Sequence, residues 1–157
     1  MLFSATFTGF LLVACVSDLK AFRIPNAVPL ALMVLFLIKA AASGVAAWPE
    51  HIIAFALIFT LGFVAFGLGM IGGGDAKLMA VIGLWLGLRD SPGFLTITAI
   101  GGGALAVILL MLRLALDRGP ALATPNGEAR KLGLFSRNAP VPYALPITIA
   151  ALWLEWT

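Results

Sequence analysis

"MLFSATFTGFLLVACVSDLKAFRIPN", residues 1–26, decides what kind of protein this is. Residues 2–17 carry no charge, and Asp18, Lys20 and Arg23 then follow within six positions, ahead of Pro25. A soluble helix alternates an apolar stripe with a polar face, whereas this run is apolar on nearly every side. It reads as a helix crossing a bilayer and ending, at Asp18, where the hydrocarbon ends.

The rest of the chain has the same character. Of its 157 residues, 62% are hydrophobic and 11% charged, and the mean hydropathy is +1.09. A water-soluble domain of this size cannot hide so much apolar surface. Apolar segments fall at about 2–17, 27–43, 52–70, 76–89, 93–116 and 141–156, separated by charges, Pro or Gly. The expected fold is therefore all-α: a single polytopic membrane domain over 1–157, with about six transmembrane helices. Crossing the hydrocarbon takes about 20 helical residues, so the first, fourth and sixth segments are short and must borrow from their flanks.

Lys and Arg give the direction. With the N-terminus outside, the inner loops hold Lys20, Arg23, Lys77, Arg113, Arg118, Arg130, Lys131 and Arg137, against Lys39 and Arg89 outside. That excess predicts both termini outside the cytoplasm of an inner (plasma) membrane. The polar stretch at about 117–140 becomes a cytoplasmic loop, irregular because of its Pro and Gly content. "AAWPEH" (46–51) and "RDSPG" (89–93) become short outer connections. "LVAC" at 12–15 looks like a lipoprotein processing box, but no Lys or Arg precedes Lys20, so residues 1–17 are expected to be a retained helix.

The same composition limits the chemistry. Cys15 and His51 are the single residues of their kinds, so neither a disulfide framework nor a Cys- or His-built metal site is expected. A net charge of +3 is accounted for by basic inner loops, and nucleic acid is not an expected partner.

The acidic residues carry the chemistry. Asp90, Asp117 and Glu128 fall in loops, and Glu50 and Glu155 at the outer boundary. Asp18 ends the first segment on the inner side, and Asp75 begins the fourth on the same side. Each has a plainer reading: Asp75 as the N-cap of its helix, Asp18 solvated or paired with Arg23. The surroundings of Asp75 favour more. "GLGMIGGGD" (67–75) has five glycines in eight positions, and irregular backbone at membrane depth survives only inside protein or beside a cavity. An ionisable residue there is a functional site by default. Two carboxylates brought close share one proton. The ionised one takes a proton from a water attacking an amide carbonyl, and the protonated one polarises that carbonyl and donates to the leaving nitrogen. Two other classes fit the same residues: a small proton-coupled transporter relaying protons through the pair, or a non-catalytic assembly subunit.

"SDLKAFRIPN" (17–26) together with "GGGDAKLMAVIGLWLG" (72–87) resembles the type IV prepilin peptidases, the bacterial members of the GxGD aspartyl protease group. "VPYALPI" (141–147) is similar to that family's Pro-Tyr-Gly segment, with Ala144 in place of the usual glycine. The resemblance implies a catalytic dyad of Asp18 and Asp75. It also implies a prepilin substrate, whose basic leader is cut off at the cytoplasmic face. Gly72 and Gly74 would shape backbone for an extended peptide, with Arg23, Asn26 and Lys77 flanking it. Each also has a structural reading: Arg23 and Lys77 as headgroup anchors, Asn26 with Pro25 as a cap for the second helix. The chain has no Cys-rich insertion after its first helix and so looks like the short form associated with Flp-type, tight-adherence pili. The resemblance thus implies no zinc and no cofactor, and it leaves methyltransferase activity and oligomeric state open.

Overall fold

The computed structural model describes residues 2–44, 47–117 and 141–156. These residues form helices and connections, with no strand among them. The helices are α1 (Leu2–Ala21), α2 (Ala27–Ser43), α3 (Trp48–Gly67), α4 (Gly73–Asp117) and α5 (Ala144–Trp156). α1, α3 and α4 are long and apolar enough to cross a membrane, while α2 and α5 are shorter apolar helices. Most of the polar loop expected at 117–140 lies outside the described residues.

Helix ends follow local chemistry. Gly44, at φ 72°, closes α2 by returning its N–H to the Ala40 carbonyl at 3.0 Å. α3 starts with Pro49 and Glu50 in its first turn, where a missing N–H and a negative charge are both well placed. It stops in a Schellman motif: the Gly69 N–H reaches Phe66 O at 2.9 Å and the Met70 N–H reaches Ala65 O at 2.9 Å. α1 ends less comfortably. Phe22 takes the left-handed position (φ 51°) with its N–H on Asp18 O at 2.8 Å. Glycine usually fills that position, since a side chain there is strained.

α4 is two helices in one run. Gly87 has φ 76° and ψ −180°, a conformation that ends the first half. Contacts show that the second half turns back. Along α3, Phe66 meets Gly73, Gly62 meets Ala76, Ile58 meets Gly83 and His51 meets Gly87, so the first half runs antiparallel to α3. Along α5, Leu154 meets Gly93, Pro146 meets Gly101 and Tyr143 meets Gly102, so the second half returns toward the end where α4 began. Among the described residues, α4 therefore contributes two rods that run in opposite directions. The break stands at Gly87, not within the expected "RDSPG". Pro92 only costs the restarted helix one hydrogen bond, and the Ser91 hydroxyl takes the Gly87 carbonyl at 2.6 Å.

The core is built from one stripe per rod. Phe7, Leu11 and Ala14 of α1 face Leu32 and Phe36 of α2, Leu78, Ile82 and Trp85 of α4, and Ile147 and Ala151 of α5. Trp85 is the hub: its ring lies 4.5 Å from that of Phe7 and 5.8 Å from that of Phe36, and its indole N–H donates to Leu32 O at 3.0 Å. Outward positions such as Leu12, Val13, Leu37, Ile53 and Leu61 are exposed, the arrangement expected of helices facing lipid.

Candidate functional site

Asp18 continues the buried stripe of α1. Phe7, Leu11, Ala14 and Asp18 recur at helical spacing, and all four are buried. The carboxylate thus stands at a core position, 5% exposed. It makes no ion pair with Arg23. Instead its Oδ2 accepts the backbone N–H of Ala144, at the start of α5, at 3.1 Å.

Asp75 lies in the first turn of α4 and is 7% exposed. It is not the N-cap residue; it caps from inside the helix. Its Oδ2 accepts the N–H of Gly72, three residues back, at 3.2 Å, the reach-back half of a capping box. Its Oδ1 is buried and has no partner among the described residues. One oxygen is committed to structure, and the other keeps its hydrogen-bonding capacity.

The connection between α1 and α2 joins the two acids. Ile24 is buried against Gly74, whose missing side chain lets the start of α4 come this close: a Cβ there would stand 3.1 Å from Ile24 Cβ. A side chain on Gly72 would meet Asp75 Oδ2 at 2.8 Å. The two carboxylates, 57 positions apart in sequence, consequently share one end of the bundle and lie within electrostatic reach of each other. Ser4 and Glu155, hydrogen-bonded at 3.0 Å, mark the other end.

The flanking residues gather at the same end. Lys77 Nζ donates to Asn26 Oδ1 at 3.0 Å, tying α4 to the start of α2 in an exposed position. Asn26 makes no side-chain cap bond with α2. Arg23 is exposed, and its carbonyl accepts the Ser17 hydroxyl at 3.1 Å. An apolar groove of about 300 Å³ opens beside Asn26 and Lys77, between α2, α3 and α4. Lys77 follows Asp75 by two residues, about 200° around the helix, so that groove lies on the other side of α4 from the acid pair. Among the described residues, no three His, Cys, Asp or Glu side chains gather in a metal-holding group.

The sequence reading named both acids but missed the Ala144 amide. A backbone donor leaves no mark in side-chain chemistry, and the only hint was a short Pro-rich segment opening the last helix.

The signature of the type IV leader peptidase family matches residues 5–107, which include both aspartates and the whole of α2 and α3. No curated protein and no solved structure matches the chain.

Proposed function

Because the chain belongs to the type IV leader peptidase family, we propose that it is a membrane aspartic endopeptidase. In this reading it cuts the leader from a type IV prepilin of the Flp class at the cytoplasmic face, with Asp18 and Asp75 as the catalytic pair. The observation that carries this reading is the placement of two buried carboxylates, from α1 and α4, at one end of a helical bundle and within electrostatic reach of each other.

Chemically, the pair holds one proton between two acids. The charged carboxylate removes a proton from water as its oxygen bonds to the scissile carbonyl carbon, while the other acid donates its proton to the carbonyl oxygen. When the tetrahedral intermediate collapses, the C–N bond breaks, the amine leaves with the proton first taken from water, and one hydroxyl of the intermediate returns its proton to the acid that had donated it, restoring the pair. No covalent enzyme intermediate forms. Asp75 Oδ1, buried and unpartnered, is the atom with capacity to spare for that exchange.

Position favours this over a proton relay across the membrane. Asp18 stands one turn from the end of α1, and Asp75 in the first turn of α4. A transport site is usually found nearer the middle of the bilayer. The Lys and Arg distribution supports a cytoplasmic location for this end.

The test is co-expression with a Flp-type prepilin, following leader loss by gel shift and mass spectrometry. Asp18→Asn and Asp75→Asn should each leave the precursor uncut, with the enzyme still present in the membrane at normal level. Normal processing by either variant overturns the assignment. The mass of the mature N-terminus reports methylation in the same measurement.

A further inference from the structure

We propose that the first turn of α5 positions Asp18 for the reaction, with the backbone N–H of Ala144 as the donor that sets the carboxylate's orientation. This rests on the peptidase reading above, and it assigns a role to a segment beyond the family match, which ends at residue 107.

Among the described residues, the Ala144 N–H has no acceptor other than Asp18. The first hydrogen bond within α5 runs from the Ile147 N–H to Tyr143 O, at 3.3 Å. Ala144 is therefore the first helical residue, and its N–H is one of the donors a helix cannot satisfy internally. The residue is 0% exposed, and a buried donor without a partner loses its hydration with nothing in return. Asp18 Oδ2 is the acceptor, reached across 126 positions of sequence.

The rest of α5 is fitted to deliver that donor. Farther along, the Thr148 hydroxyl meets Leu11 O at 3.4 Å and Glu155 takes the Ser4 hydroxyl at 3.0 Å, so α5 is fixed against α1 at three levels. On its other side, Tyr143 and Pro146 sit where the second half of α4 has glycines. A Cβ on Gly102 would stand 2.8 Å from Tyr143 Cε1, and one on Gly101 3.2 Å from Pro146 Cβ. An aspartate turns about two side-chain bonds. Pinning one of its oxygens from rigid backbone orients the other, which is what a base needs in order to meet an attacking water.

Amide hydrogen exchange of the full chain in detergent micelles, resolved to Ala144, tests the pairing without relying on activity. Asp18→Ala removes the acceptor and should raise Ala144 exchange roughly 10- to 100-fold, the span expected for a hydrogen bond to a charged group. Asp18→Asn keeps an acceptor oxygen and should stay near the wild-type rate. Unchanged exchange in Asp18→Ala overturns the proposal.

Kinetics test the consequence. Ala144→Pro deletes the N–H at the one helical position where proline fits well. It should lower kcat roughly 10- to 100-fold with KM little changed, whereas Ala144→Gly, which keeps the donor, should recover most of that loss. Wild-type kcat in Ala144→Pro also overturns the proposal; if that variant does not accumulate, the exchange comparison decides. Failure of the wild-type enzyme to cut any prepilin would sink the peptidase reading and leave the exchange result standing.

Discussion

Gly74 and Ile24 touch so closely that a methyl group on the glycine would stand 3.1 Å from Ile24 Cβ and 3.4 Å from the Ile24 carbonyl oxygen. The contact joins the helix bearing Asp75 to the turn that follows Asp18, and that turn already holds Phe22 at φ 51°. It has little room to yield. Gly74→Ala is expected to move one acid relative to the other, lowering leader cleavage roughly 10- to 100-fold. The cost in stability is about 1–3 kcal/mol. Cleavage in co-expressing cells and thermal unfolding in detergent check the two parts.

Gly9 offers the matching control. It lies inside α1, and a Cβ there meets nothing within 4 Å. Gly9→Ala should therefore raise stability by about 0.5–1 kcal/mol, the ordinary gain of replacing glycine within a helix, and leave cleavage unchanged. A loss of cleavage would mean that the α1 surface at that level is in use.

The reversal at Gly87 yields the next expectation. Its φ of 76° with ψ near 180° suits glycine almost alone, and a Cβ would meet His51 Cε1 at 3.2 Å. His51 is itself committed, with Nδ1 2.8 Å from the Leu84 carbonyl oxygen, near the point where α4 breaks. Gly87→Ala should cost about 1–3 kcal/mol. Because they share this contact, Gly87→Ala and His51→Ala should not add when combined. Unfolding followed by the fluorescence of the chain's four tryptophans measures both.

How much of this was legible in the chain differs by kind. Apolar runs gave the rods, and their charged flanks gave the acid pair a common end. The stripe Phe7, Leu11, Ala14 and Asp18 was there to be counted, since helical spacing alone puts Asp18 in line with core positions. Two features were not legible. The connection before the segment at 93–116 was expected in "RDSPG" (89–93), yet the φ that turns the chain belongs to Gly87. α5 starts at Ala144, not at Val141, and its first N–H is spent on Asp18. That partner lies on another helix, and local pattern carries no information about it. Asp75 fell between the two readings offered for it: one oxygen caps α4 and the other is left over.

The pair Asn26 and Lys77 separates anchoring from catalysis. Their 3.0 Å hydrogen bond is exposed, and such bonds contribute about 0.5–1.5 kcal/mol at most in net terms. Asn26→Ala and Lys77→Met should each shift unfolding only slightly, and the double variant should be no worse than the sum. If these residues also flank the bound leader, as the peptidase reading holds, both variants raise KM for the precursor several-fold and leave kcat in place. That pattern is what loss of uniform substrate binding produces. A fall in kcat with KM unchanged would instead mean that the tie between α2 and α4 sets the geometry of the acid pair, making Lys77 a positioning residue rather than a substrate contact.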